Sequence, residues 1–162
     1  MSIKLCTLAY VRDGENTLML ERAADHREQA GKYNGLGGKF EQGESPEQCL
    51  AREVLEESGL VVLAADLKGL ITFPAFDGAD DWYVFVYVVT AFSGTPTASR
   101  EGGLHWVPTA SLADLPLWEG DRHFLPWLDR PGFFSAEFRY VGGRYQDHDV
   151  VFYGPERSVG SR

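Results

Sequence analysis

Residues 38–60 read Gly-Lys-Phe-Glu-Gln-Gly-Glu-Ser-Pro-Glu-Gln-Cys-Leu-Ala-Arg-Glu-Val-Leu-Glu-Glu-Ser-Gly-Leu, and they force a glycine loop to run straight into one capped helix. Ser45 suits the N-cap, Pro46 the first helical position, and Gln48 completes a capping box with Ser45. Gly59 is the natural stop, because glycine takes the left-handed cap at little cost. The helix is therefore expected over 46–58.

At about 100° per residue, Leu50, Ala51, Val54 and Leu55 share one broad face, expected to pack on a sheet. Glu53, Glu56 and Glu57 share another face, beside Cys49. Three carboxylates at helical spacing repel one another, and a cation between them removes that cost. Ligands that are all oxygen suit Mg²⁺ or Mn²⁺ better than zinc. Arg52 is placed to hold one of the carboxylates in a bidentate pair. Ahead of the helix, Asn34-Gly35-Leu36-Gly37-Gly38-Lys39 allows tight turns and close approach of a ligand. Its carbonyls can face a metal and its amides phosphate oxygens, with Lys39 adding a cation. Taken singly, helical acids are usually a solvated face and paired glycines a turn. Together, at these spacings, they point to a metal–phosphate site.

The spacing of Gly38, Glu44, Arg52-Glu53, Val54, Glu56-Glu57, Gly59 and Leu60 resembles the signature box of the Nudix hydrolases, which cleave a nucleoside diphosphate linked to another group. Further runs are similar to the MutT-homologue type within that family, the oxidised-purine nucleoside triphosphate diphosphatases. These are 33–39, 93–96, Glu101, 105–107, Leu115-Pro116, Trp118, Asp121, 124–126 and the aromatic stretch 133–140 with Gly142-Gly143. The likeness covers residues 3–153.

The resemblance implies an α/β fold, the Nudix α/β/α sandwich with a mixed central sheet. It implies Mg²⁺, with Mn²⁺ as a substitute. Glu53, Glu56 and Glu57 would ligate metal with the carbonyl of Gly37 or Gly38, Glu44 would sit in the outer part of the cluster, and Arg52 would orient the glutamates. Glu101 would be a further ligand or the residue that activates water. On the substrate side, Thr7 would floor the pocket, Asn34 would bond the purine base, Trp118 would stack on it or wall the pocket, and Asp121 would read its edge. Leu36, Gly37, Gly38, Lys39 and Glu119 complete the expected binding set.

The residues themselves leave simpler roles open: Asn34 as a turn residue before Gly35, Asp121 as a helix N-cap, Trp118 as core or rim. Where the resembling enzymes carry two adjacent aspartates, this chain has Glu119-Gly120-Asp121. A basic residue in the second strand of those enzymes has no expected equivalent here, where Glu21-Arg22-Ala23-Ala24 stands. The implied reaction is hydrolysis of a purine nucleoside triphosphate, such as 8-oxo-dGTP, to monophosphate and pyrophosphate. Alternatives are ADP-ribose, dinucleoside polyphosphates, nucleotide sugars, capped RNA, or a nucleotide-sensing module without turnover.

Composition sets the outer bounds. At 162 residues and 44% hydrophobic, one domain over 1–153 with a frayed tail at 154–162 is expected. The net charge of −9 argues against a nucleic-acid polymer or an anionic membrane as partner. It does not argue against a small nucleotide bridged by metal. Cys6 and Cys49 are too few for a disulfide framework and read as reduced thiols of a cytoplasmic protein. No membrane span or signal core stands out, and the chain is expected to act as a monomer or homodimer. Strands are expected over 3–12, 17–22, 67–73, 82–92, 104–107 and 133–140, with a further one at 150–153. A polar loop at 23–32 would lip the pocket, 74–81 would form another loop, and a helix would lie near Arg122.

Overall fold

The computed structural model describes residues 2–23, 31–98 and 102–154. Its elements, in chain order, are strand β1 (Ile3–Asp13), β2 (Asn16–Arg22), β3 (Tyr33–Asn34), helix α1 (Pro46–Ser58), β4 (Val61–Phe73), β5 (Asp81–Ser93), β6 (Gly102–Pro108), a 3₁₀ turn (Thr109–Asp114), the single-turn helix α2 (Asp121–Phe124), a second 3₁₀ turn (Leu125–Asp129), β7 (Phe133–Val141) and β8 (Arg144–Tyr153). Among the described residues no helix is long and apolar enough to cross a membrane.

The strands form one mixed sheet in the order β3-β2-β1-β5-β4-β7-β8, with β6 also paired to β2. β1 and β5 run parallel, as do β4 and β7, while the hairpins β1/β2 and β7/β8 are antiparallel. Each face carries its own core. On one face Leu50 and Val54 of α1 pack with Ala9, Val11, Leu18, Leu20, Tyr87 and Val89. On the other, Phe124, Leu125 and Leu128 cover Tyr10, Met19, Val86, Val88, Phe134 and Phe138. The result is an α/β fold with helical layers on both sides of the sheet.

Helix α1 has the expected bounds because its signals are local. Ser45 Oγ accepts the Gln48 N–H at 3.1 Å, Gln48 Oε1 accepts the Ser45 N–H at 2.9 Å, and Gly59 caps the end at φ 80°. Its buried face, however, is rotated from the expected one. Cys49, Leu50, Val54, Glu57 and Ser58 point inward, whereas Ala51 is exposed and Leu55 is half exposed. The inward stripe follows i, i+4 and i+7 from Leu50 and so takes in a glutamate. Hydrophobicity alone assigns that place to Leu55.

Two other expectations change. β4 starts at Val61, not near residue 67, and its register against β5 shifts three times over 62–69, which erases the alternating pattern. The helix near Arg122 is one turn long and becomes 3₁₀ from Leu125, just ahead of Pro126, which has no N–H to continue it. Most of the polar loop at 23–32 lies outside the described residues.

Candidate active site

The hairpin β1/β2 pairs only at residues 11–13 with 16–18. Beyond that the two strands splay, and the glycine loop fills the gap. Leu36 N–H bonds the Ala9 carbonyl at 2.9 Å, Thr7 N–H bonds the Gly38 carbonyl at 2.9 Å, and Phe40 N–H bonds the Leu5 carbonyl at 2.9 Å. Asn34 at the loop's start pairs with Leu20 of β2. The loop is therefore held like a strand, and glycine is what lets it approach so closely. A Cβ on Gly37 would stand 2.0 Å from the Thr7 carbonyl oxygen. One on Gly38 would stand 2.6 Å from the Glu53 carboxylate carbon.

That second contact seats Glu53 directly over the loop. Glu57, buried beneath it, accepts the Gly37 N–H at 2.9 Å. Arg52 organises the rest. Its Nε and Nη2 grip the two oxygens of Glu44 at 2.6 and 2.9 Å, and Nη2 also reaches the Lys39 carbonyl at 3.0 Å. Its Nη1 lies between Glu53 at 2.9 Å and Glu56 at 3.2 Å. The bidentate partner is thus Glu44, whose carboxyl is held down to about 2 by the Arg52 hydrogen bonds and then by the Glu41 N–H. Arg52 is in turn held more firmly protonated, chiefly by Glu44.

Among the described residues, no three acidic, histidine or cysteine side chains are already gathered at ion-holding spacing. The expected tight cluster of three is opened by two partners: Gly37 N–H draws Glu57 inward, and Arg52 draws Glu53 and Glu56 around one guanidinium nitrogen. The donor set still fits a hard divalent ion. Glu53 and Glu56 converge on one point, the donors are all oxygen, and the Gly38 cradle admits the Glu53 carboxylate because no Cβ fills it.

On the far side of the glycine loop lies a cavity of about 210 Å³. Thr7, Asn34, Gly37, Gly38, Trp118 and Asp121 all line it, as expected from the sequence. Its aromatic walls add Phe73, Phe76, Trp82, Phe124 and Tyr140. Asp121 is buried, and that burial lifts its carboxyl to about 7 against a smaller opposing pull from Arg122. It is not an N-cap: Gly120 holds that position and Asp121 is the first helical residue, so the capping alternative falls. Thr7 is also buried, with its hydroxyl 3.4 Å from Cys49 Sγ.

Three expected binding residues stand elsewhere. Leu36 is fully buried in the core beneath α1, with its backbone engaged by Ala9, so its side chain does not reach the cavity. Glu119 is exposed and outside the cavity lining. Lys39 is exposed and lies over the Trp82 ring at 5.3 Å, a cation–π contact on the cavity's outer wall. Glu101 lies outside the described residues.

Conversely, Arg22 lines the cavity although no basic residue of β2 was assigned there. The expectation that the second strand supplies no basic residue to the pocket is thereby corrected: Arg22 ends β2 beside the cavity. Phe73 and Phe76, bracketing Pro74, were a detectable signal: two aromatics at a strand end are placed to wall a pocket rather than to fill a turn.

Comparison with known proteins agrees with this geometry. The NUDIX domain family pattern matches residues 4–128. The oxidized purine nucleoside triphosphate hydrolase of Mus musculus is 33% identical over 132 residues, covering 82% of this chain and 81% of that protein. The uncharacterized Nudix hydrolase YvcI of Bacillus subtilis is 34% identical over 110 residues, covering 65% and 70%. Among solved structures, the MutT protein of Bacillus halodurans superposes with a TM-score of 0.82 at 26% identity, covering 91% of this chain and 97% of that one. With the acid-bearing box, the glycine loop and the mixed sheet all in place, the chain belongs to the Nudix hydrolases.

Proposed function

We propose that this Nudix hydrolase cleaves a purine nucleoside triphosphate, an oxidised one such as 8-oxo-dGTP included, to the monophosphate and pyrophosphate. One observation carries the reading: Gly37 and Gly38 line the aromatic cavity while Glu57 and Glu53 meet the same two residues from α1. A base in the cavity would therefore place its phosphates beside the carboxylates.

Nudix hydrolases generally use divalent metal ions. Glu53, Glu56 and a carbonyl of the glycine loop would hold Mg²⁺ or Mn²⁺, which supplies neutralisation of phosphate charge and a more acidic water. The chain's own part is positioning. Glu57 fixes the loop through Gly37, and Arg52 aligns Glu53 and Glu56 while Glu44 anchors it. Glu56, the most exposed of these acids, or alternatively Glu101, accepts the proton of the attacking water or orients that water. In the cavity, Trp118 stacks on the base and Asn34 bonds it. Asp121, poised near neutrality, can present its edge as donor or acceptor. Cys6 and Cys49, both buried free thiols, suit a reducing compartment such as the cytoplasm.

The test is Mg²⁺-dependent product analysis with 8-oxo-dGTP beside dGTP, ADP-ribose and a diadenosine polyphosphate. A large kcat/KM advantage for 8-oxo-dGTP, with monophosphate and pyrophosphate as products, supports the proposal. A win for ADP-ribose or the dinucleotide leaves the box chemistry standing and removes the roles of Asn34, Trp118 and Asp121. Binding without any product in a single turnover favours a sensing module instead.

A further inference from the structure

Helix α2 is only four residues long, and its N-cap, Gly120, carries no side-chain cap. So short a helix does not hold itself in water. Yet the turn 118–121 carries both Trp118 and Asp121, which among the described residues is the one acid lining the cavity. Within the turn, Asp121 N–H bonds the Trp118 carbonyl at 3.0 Å. A tie from the sheet comes from β7. Tyr140 Oη accepts the Gly120 N–H at 2.8 Å, and the pair is buried. The tyrosine ring is wedged edge-on against Phe76, with centroids 5.1 Å apart, and against Trp118 at 6.1 Å.

Gly120 has φ −64° and ψ −27°, which any residue adopts, so backbone freedom does not explain the glycine. Space does. A Cβ there would stand 2.7 Å from Tyr140 Oη and 2.9 Å from a ring carbon of Phe138. The hydroxyl and a side chain at position 120 exclude each other.

We infer that Tyr140 is a positioning and specificity residue. Its hydroxyl tethers Gly120 so that Trp118 and Asp121 face the cavity, and its bulk limits the turn to a single inward-facing acid. This rests on the reading of the cavity as the base pocket. The Tyr140 ring is itself part of the cavity wall, while its hydroxyl acts through Gly120 on Trp118 and Asp121; Tyr140→Phe keeps the ring and removes only the hydroxyl, and the phosphate end is untouched. The tether sets KM and leaves kcat alone.

The test uses Tyr140→Phe, Gly120→Ala and the double variant. The readouts are hydrogen exchange of the Gly120 amide in the ligand-free protein, the melting temperature, and KM and kcat on whichever purine triphosphate the wild type turns over. Tyr140→Phe is expected to speed Gly120 exchange and raise KM by about five- to tenfold, the scale of one net hydrogen bond, with kcat within about twofold. Gly120→Ala raises KM further, and adding Tyr140→Phe to it lowers KM again by removing the nearer obstacle. A merely structural role would lower the melting temperature without this rescue.

Unchanged Gly120 exchange overturns the tether. Faster exchange with unchanged KM overturns the positioning role. A double variant whose KM is the product of the single effects overturns the steric exclusion. If the wild type turns over no purine triphosphate, the functional reading falls, and Gly120 exchange still decides whether the tether exists.

Discussion

The acid-bearing end of the site and the aromatic cavity stand on opposite sides of one glycine loop, but they are assembled differently. The acids come from one continuous stretch, loop plus α1; a charge, Arg52, partners Glu44, Glu53 and Glu56, and the Gly37 N–H partners Glu57. The cavity draws on β1, β2, β3, β4, β5, α2 and β7, and its walls are aromatic with a few polar groups. The first end works by local spacing and charge, the second by the meeting of distant segments. Chemistry placed by local spacing tolerates change elsewhere in the fold. A pocket built from seven elements is open to change in each of them.

Predictions follow from pulling the two ends apart. Gly37→Ala strikes both at once, because its Cβ falls 2.0 Å from the Thr7 carbonyl and the loop must leave β1. It should cost roughly 3 kcal/mol or more in stability. In the same variant kcat/KM should fall at least about a thousandfold, the loss that misplaced catalytic groups can bring. Denaturant titration and steady-state kinetics check both. Retained activity would show that the loop is not held as a strand.

Glu56→Gln acts on the acid end alone. It should lower kcat by about 10²–10⁴-fold while KM and the melting temperature stay close to wild type, since the side chain is more than half exposed. Near-normal turnover in the folded variant would remove Glu56 from the chemistry.

Asp121→Asn acts on the cavity alone and reads out through pH. Burial raises the folded carboxyl to about 7, against about 3.9 in the unfolded chain. The fold thus favours the protonated acid. Its stabilising contribution is full below about pH 4 and is lost as pH rises through about 7. The melting temperature of the wild type should therefore fall relative to Asp121→Asn across that window, and KM should change near pH 7 only in the wild type. Parallel profiles in the two proteins would show that Asp121 ionises normally.

The smallest effect tests the rotated helix face. Val54→Ala should cost about 2 kcal/mol, as a buried truncation, whereas Leu55→Ala should stay within about 0.5 kcal/mol. Equal costs would restore the unrotated face.

The same contrast explains what could be read without coordinates. The caps of α1, Ser45 with Gln48 and Gly59, are written within a few residues of their effect, so the helix bounds emerge from them directly. The inward turn of Glu57 is not written there. It depends on a backbone N–H of Gly37, twenty residues earlier, that makes burial of a carboxylate tolerable. Most of the expected cavity residues were legible through family resemblance, but Leu36 and Glu119 were carried over by adjacency in the chain, which does not say which way a side chain points. Arg22 was missed for the converse reason. Nothing in residues 21–24 tells that Arg22 borders a cavity, because the other walls come from segments far away in the chain.

The insertion of the glycine loop between β1 and β2 has a consequence for ligand affinity. A free loop with three glycines in four positions would lose much conformational entropy each time a phosphate chain was captured. Here that freedom is already gone once the sheet has formed. A ligand docking on this loop would meet a backbone with little left to freeze, and less of its interaction energy would go into ordering the protein.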